Sequence, residues 1–285
     1  MVRTGQHAMS ARVLIAGAGD VGLRAARLLR ARGDEVWALR RGAGSGEHGI
    51  HWVQGDLTKP ETLRSLPDGI THIIYLPTPD ARDEALYRAV FVDGLQLLLD
   101  ALDTQALQRL LFVSSSAVYG EHGDAWVDEE TPPAPPGFNG CVLLEAERHV
   151  AKHAPAVVLR LAGLYGPGRM QLIERLRTGA VRVPRATPHW ANRIHVDDAA
   201  AAIVHLLLVR DPLPLYLGVD NTPLPLDVLY DELARRVHAP LPAEGEAPAG
   251  VGSKRLSNAR LRASGFVPQW PDARDGYAAL LDGDA

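Results

Sequence analysis

The chain has 285 residues, 46% of them apolar, and a formal charge of −4. That length suits one large domain or two closely joined ones, and the small charge without a basic patch excludes nucleic acid as an expected partner. A single cysteine, Cys141, precludes an internal disulfide and fits a reducing compartment, and no apolar stretch is long enough to span a bilayer.

Residues 1–10 lack an apolar h-region and read as a loose leader, so the expectation is a cytoplasmic protein with no membrane partner. Arg12–Ala16 reads as a strand and Val21–Arg32 as a helix, with Val21, Ala25, Leu28 and Leu29 on one face. Between them lies Gly17-Ala18-Gly19-Asp20-Val21-Gly22. A glycine-rich turn that ends a strand and opens a helix suits a dinucleotide's pyrophosphate. Gly17 allows the tight turn, Gly19 lets the backbone approach the diphosphate, and Gly22 lets helix and strand pack closely. The helix N-terminus, at Asp20 and Val21, faces the anion.

Glu35–Leu39 reads as a second strand, followed by Arg40-Arg41. An acidic residue there would hold the ribose hydroxyl of NAD; an arginine meets the 2′-phosphate of NADP. NADP is therefore favoured over NAD, against the alternative of two ordinary surface charges. His51–Val53 reads as a third strand. Asp56 and Leu57 follow, suited to the adenine amino group and ring, or to the start of a helix. That short helix is expected over Thr58–Leu66, capped by Thr58 with Glu61 three residues on.

Thr71–Leu76 is the fourth expected strand, and Leu76-Pro77 at its end suits the nicotinamide half of a groove or a simple turn. A long helix is expected over Ala81–Leu102, then strands at Arg109–Ser114 and Ala156–Leu161. This alternation predicts an α/β fold: a Rossmann-type, doubly wound parallel sheet over 11–164. Prolines then crowd the chain, with helices expected at Asp197–Val209 and Leu226–Val237 and a strand at Leu215–Val219. Residues 165–285 read as a smaller substrate-binding lobe interleaved with the first unit.

Four further segments carry a resemblance. They are Val113-Ser114-Ser115-Ser116-Ala117-Val118-Tyr119-Gly120, Arg160 through Tyr165-Gly166-Pro167-Gly168, Asn192-Arg193-Ile194-His195-Val196-Asp197-Asp198, and Lys254-Arg255-Leu256-Ser257-Asn258. In this order they resemble motifs of the extended short-chain dehydrogenases/reductases, of the NAD-dependent epimerase/dehydratase group. The resemblance implies an oxidoreductase or epimerase, a small-molecule carbonyl or sugar-type substrate, and a homodimer through helices at 81–102 and 140–153. It also puts Ser114 beside the cofactor and Ser115 beside the substrate oxygen.

The chain departs from that family at its Tyr-x-x-x-Lys pair. Aligning Glu147 with the glutamate that follows the pair puts Asn139 at the tyrosine place and Leu143 at the lysine place. Asparagine has no usable proton near neutral pH and leucine no charge. Ser115 is then the candidate catalytic group, as a donor that polarises a carbonyl or as a serine satisfying backbone. Tyr165 and Arg193 are candidate substrate contacts, Arg193 for an anionic group; His189 and Trp190 lie in the same loop. The acidic stretch Asp124–Glu130 is expected to border the cleft, with Trp126 over it. The histidines are scattered, and no metal is expected. Two functions stand open: an NADP-dependent enzyme with a non-standard catalytic set, or a non-catalytic NADP-binding redox sensor.

Overall fold

The computed structural model describes residues 10–44, 46–248 and 250–283; residues 1–9 of the expected leader lie outside them. One sheet is formed by β1 (Arg12–Ala16), β2 (Glu35–Arg40), β3 (Ile50–Gln54), β4 (His72–Tyr75), β5 (Arg109–Ser115), β6 (Ala156–Leu161) and β7 (Leu215–Gly218). Their spatial order is 3-2-1-4-5-6-7, and every pairing is parallel. In β1, Val13 to Ala16 are fully buried, because helices cover both faces of such a sheet. The order reverses between β1 and β4. Right-handed crossovers then put the helices on opposite faces, and the carboxyl ends of these strands part to leave a crevice. The fold is of the Rossmann type.

Helix α1 (Asp20–Ala31) follows β1. Gly22, Ala25, Ala26 and Leu29 are buried on it, whereas Leu28, expected on one face with Ala25 and Leu29, is 40% exposed. The expected helix at Thr58–Leu66 shrinks to a single 3₁₀ turn, Pro60–Leu63. Pro60 forces the residue before it out of helical backbone, so Lys59 is extended (φ −129°, ψ 93°) and takes the cap position expected of Thr58. The long helix expected over Ala81–Leu102 is α2 (Glu84–Arg88), a π segment (Ala89–Asp93) and α3 (Gly94–Ala101). It starts late because Asp83, extended, accepts the Leu86 N–H and caps it there.

Helix α4 (Phe138–His153) leads into β6, α5 (Gln171–Arg177) follows the glycine turn after Tyr165, and α6 (Val196–Leu208) packs on α1. The C-terminal elements are α7 (Leu226–Arg236), α8 (Ala259–Ala263) and α9 (Ala273–Asp282). Two segments read from sequence with the C-terminal lobe, α6 and β7, return to the main sheet. Around Ile173, Leu176, Leu229, Leu233 and Tyr277 a second apolar core forms apart from the main one. No helix among the described residues is long and apolar enough to cross a membrane.

Candidate functional site

A cleft of about 760 Å³ opens along the carboxyl ends of β1, β2, β4, β5 and β6. Its wall includes every residue expected from sequence to hold a cofactor: Gly17, Gly19, Asp20, Val21, Gly22, Arg40, Arg41, Asp56, Leu57, Leu76, Pro77 and Ser114. Ser115, Asn139 and Leu143 line it too. Tyr165 and Arg193 do not.

The glycine loop is folded back on β2, whose Leu39 carbonyl accepts the Gly17 and Ala18 N–H groups at 3.1 Å each. Gly17 has φ +100°, and a Cβ on it would lie 2.6 Å from the Pro77 backbone. A Cβ on Gly22 would sit 3.0 Å from the Gly17 carbonyl oxygen, so α1 approaches the loop closely. Gly19 differs: a Cβ there would meet nothing within 4 Å, because it would point into the open cleft.

Charge alternates along the mouth of the loop. The Asp20 carboxylate lies 2.8 Å from Arg24 Nε and 3.4 Å from Arg169 Nη2, and Arg24 also meets Asp197 at the start of α6. Arg169, directly after the Gly166-Pro167-Gly168 turn, thus faces the N-terminus of α1. Sequence reasoning missed it, although its place after that turn was the available signal.

At the far end Arg40 is exposed, its guanidinium 6.0 Å from the Trp52 ring centre. Arg41 is held by Asp80 in a two-pronged pair (Nη2 to Oδ1 2.6 Å), which keeps the Asp80 carboxyl below the usual range. Asp56 accepts the Thr58 N–H at 3.0 Å and its hydroxyl at 2.8 Å. Burial works against ionising Asp56, yet these bonds prevail and its pKa falls.

At the opposite end Ser114 is buried, and its hydroxyl donates to Glu147 Oε1 at 2.5 Å, so backbone is what it offers the cleft. The Ser115 oxygen accepts the Ala117 N–H at 3.2 Å, which leaves its own proton free to donate. Asn139, in the first turn of α4, accepts weakly from Arg82 at 3.4 Å. Leu143 follows one turn later, largely buried. Cys141, between them, is exposed and faces away from the cleft wall. Tyr87 of α2, unremarked in the sequence, also lines this end.

The remaining candidates have structural partners. Tyr165 is 1% exposed and stacks on Tyr277, 4.4 Å between ring centres. Arg193 donates to the Tyr230 hydroxyl at 2.9 Å. His189 is buried, and the Trp190 indole donates to Asp124 at 2.9 Å. His195 caps α6 by accepting the Asp197 N–H on Nδ1, and burial lowers its pKa. Asp220 is buried beside this group: its Oδ1 accepts the Thr222 N–H at 3.1 Å while Oδ2 is enclosed without a described partner. Burial raises its pKa to about 8.

The acidic stretch 124–130 does not line the cleft; Trp126-Val127 pairs instead with Arg255-Leu256. Across that pairing the Arg255 N–H donates to the Ala125 carbonyl at 3.1 Å and the Ser257 N–H to the Val127 carbonyl at 2.9 Å. In the same motif the Lys254 ammonium, buried, donates to the Gly252 carbonyl at 2.9 Å, and Asn258 donates to the Val219 carbonyl at 2.9 Å. Among the described residues no group of three or more His, Cys, Asp or Glu side chains converges to hold a metal.

Residues 13–214 match the model of the NAD dependent epimerase/dehydratase family. A provisionally named NAD-dependent epimerase/dehydratase of Methylobacillus flagellatus is 40% identical, with a TM-score of 0.81, covering 96% of this chain and 98% of that one. Protein YeeZ of Escherichia coli K12 is 27% identical over 276 residues, 92% of this chain and 97% of YeeZ. MoeE5, solved with UDP-glucose and NAD, is 25% identical with a TM-score of 0.78, covering 95% of this chain and 98% of MoeE5.

Proposed function

The chain belongs to the NAD dependent epimerase/dehydratase family, and from that footing we propose that its cleft binds a nicotinamide dinucleotide, NADP in preference to NAD. We infer that it works as an oxidoreductase or epimerase/dehydratase-like enzyme on a small carbonyl or sugar-type compound. The observation that carries this is the continuity of one cleft from the exposed Arg40, past the bare face of Gly19, to Ser115. The residues fit the nucleotide. Gly19 leaves room for a diphosphate at the N-terminus of α1, and Arg169 brings a cation to the same place. Arg40 offers a planar fork to a 2′-phosphate. MoeE5 holds NAD, so the NADP preference rests on this chain's arginines.

Bound there, the nucleotide supplies hydride chemistry. The chain's own part is to fix the substrate carbonyl: Ser115 donates its free hydroxyl proton as a hydrogen bond, polarising the oxygen. A neutral serine orients; it does not titrate. Leu143 leaves the wall apolar where the resemblance puts a lysine, and Asn139 stands where it puts a tyrosine.

Those two residues favour a second reading, a non-catalytic NADP-binding sensor of redox state. Titration calorimetry with NADPH and NADH, followed by turnover assays with carbonyl compounds and nucleotide sugars, separates the two. Turnover with tighter NADPH binding supports the enzyme. Tight NADPH binding without turnover supports the sensor, and no heat with either nucleotide removes both.

A further inference from the structure

An enzyme that reduces or oxidises a carbonyl must move a proton as well as a hydride, and the cleft wall offers few groups to do it. Asp80 is committed to Arg41, Asp20 to Arg24 and Arg169, and Asp56 to Thr58. All three stand on the loop and arginine side of the cleft. Ser115 is too weak an acid to titrate. One phenol is left. Tyr87 lines the cleft and is half-buried. The hydroxyls of Tyr75, Tyr119, Tyr216 and Tyr230 are bonded to protein, but no hydrogen bond ties that of Tyr87 to another described residue.

Its ring is fixed at the Ser115 end. It lies edge-on to Phe138, the residue before Asn139, with ring centres 5.4 Å apart. On another side it meets Phe91 at 5.5 Å, and Phe91 in turn packs 6.4 Å from Phe112 on β5, three residues before Ser115. The ring is thus held by α4 and the π segment, with its hydroxyl uncommitted.

We propose that Tyr87, carried on α2, is the proton-transferring residue of this cleft, a phenol supplied from a different helix than the one that begins at Phe138. The proposal rests on the enzymatic reading above. In the reducing direction the Tyr87 O–H bond breaks and its proton joins the carbonyl oxygen as the carbonyl carbon takes up hydride from the reduced nicotinamide. The phenolate regains a proton from cleft water, so one ketone or aldehyde, one hydride and one proton give one alcohol. Ser115 holds the same oxygen.

Two measurements test this. In the first, the free protein is treated with N-acetylimidazole and the acetylated tyrosines are mapped by mass spectrometry. Tyr87 should react, and saturating NADPH with UDP-glucose should shield it; an inert Tyr87, or one equally reactive with both ligands present, overturns the proposal. In the second, Tyr87→Phe keeps both ring contacts and loses the hydroxyl. NADPH affinity should hold, while kcat for NADPH-dependent reduction of 4-nitrobenzaldehyde falls about 100-fold with KM unchanged, as expected for loss of a general acid. The solvent deuterium isotope effect on kcat should vanish with it. Unchanged kcat in a variant whose native parent reduces the aldehyde overturns the role of Tyr87 alone. A native protein that binds NADPH and reduces no carbonyl compound, or that binds neither nucleotide, overturns the enzymatic reading and the role of Tyr87 with it.

Discussion

Arg160 of β6 and Glu147 of α4 meet inside the protein through two parallel hydrogen bonds, Nε to Oε1 at 3.0 Å and Nη2 to Oε2 at 2.6 Å. Both side chains are over nine-tenths buried. Arg160 Nη1 also donates to the Tyr119 hydroxyl at 2.7 Å, and Glu147 accepts the Ser114 hydroxyl. One carboxylate therefore joins the strand that carries Ser115 to the helix that carries Asn139.

Removing that carboxylate strands a buried guanidinium. Glu147→Ala should cost about 3–5 kcal/mol, read as a lower urea midpoint. The double replacement Arg160→Met with Glu147→Met removes both charges and should recover most of the loss. A single variant as stable as the native protein would refute the stranded charge.

Two glycines in one loop should fail in different ways. Gly17→Ala meets the Pro77 backbone from a left-handed conformation, so it should lower the melting temperature as well as NADPH affinity. Gly19→Ala meets no protein atom. It should leave the melting temperature unchanged and weaken NADPH alone. Thermal melts with and without NADPH check both.

Arg40→Asp should weaken NADPH by about 10–100-fold, the scale of one hydrogen-bonded charge contact, and spare or improve NADH. Equal loss of both nucleotides in calorimetry would remove Arg40 as the selector. Arg41→Ala should have the smaller effect, since its fork already holds Asp80.

Asp220 gives stability a pH signature. Its pKa is raised by burial to about 8 in the folded protein, against about 3.9 unfolded. Below the lower value both states hold the proton, and its stabilising contribution is complete. Between the two values only the folded state holds it, so stability falls as pH rises, by about 1.4 kcal/mol per unit. Asp220→Asn removes this slope. The native protein's melting temperature should drop relative to the variant from pH 5 to pH 8; parallel curves would refute the shift.

Local chemistry made much of this fold readable. Ala156–Leu161 is a strand at the expected bounds, an apolar run interrupted by Arg160 alone, and glycines 17, 19 and 22 mark the strand-to-helix turn where it stands. Short-range competition hid other parts: Pro60 overrode the cap expected of Thr58, and a π segment broke the long helix. Tyr87 and Arg169 escaped notice because only tertiary packing brings α2 and the segment before α5 to the cleft. Trp126 and Arg193 carried eye-catching chemistry, but their partners lie elsewhere in the C-terminal half.

The placement of β7 bears on how the molecule is made. It completes the sheet beside β6, yet more than fifty residues separate the two in sequence. A nascent chain leaving the ribosome must expose the free margin of β6 until Leu215–Gly218 emerges, and such a margin invites pairing with other chains. Truncation just before Leu215 should therefore yield aggregates that engage chaperones.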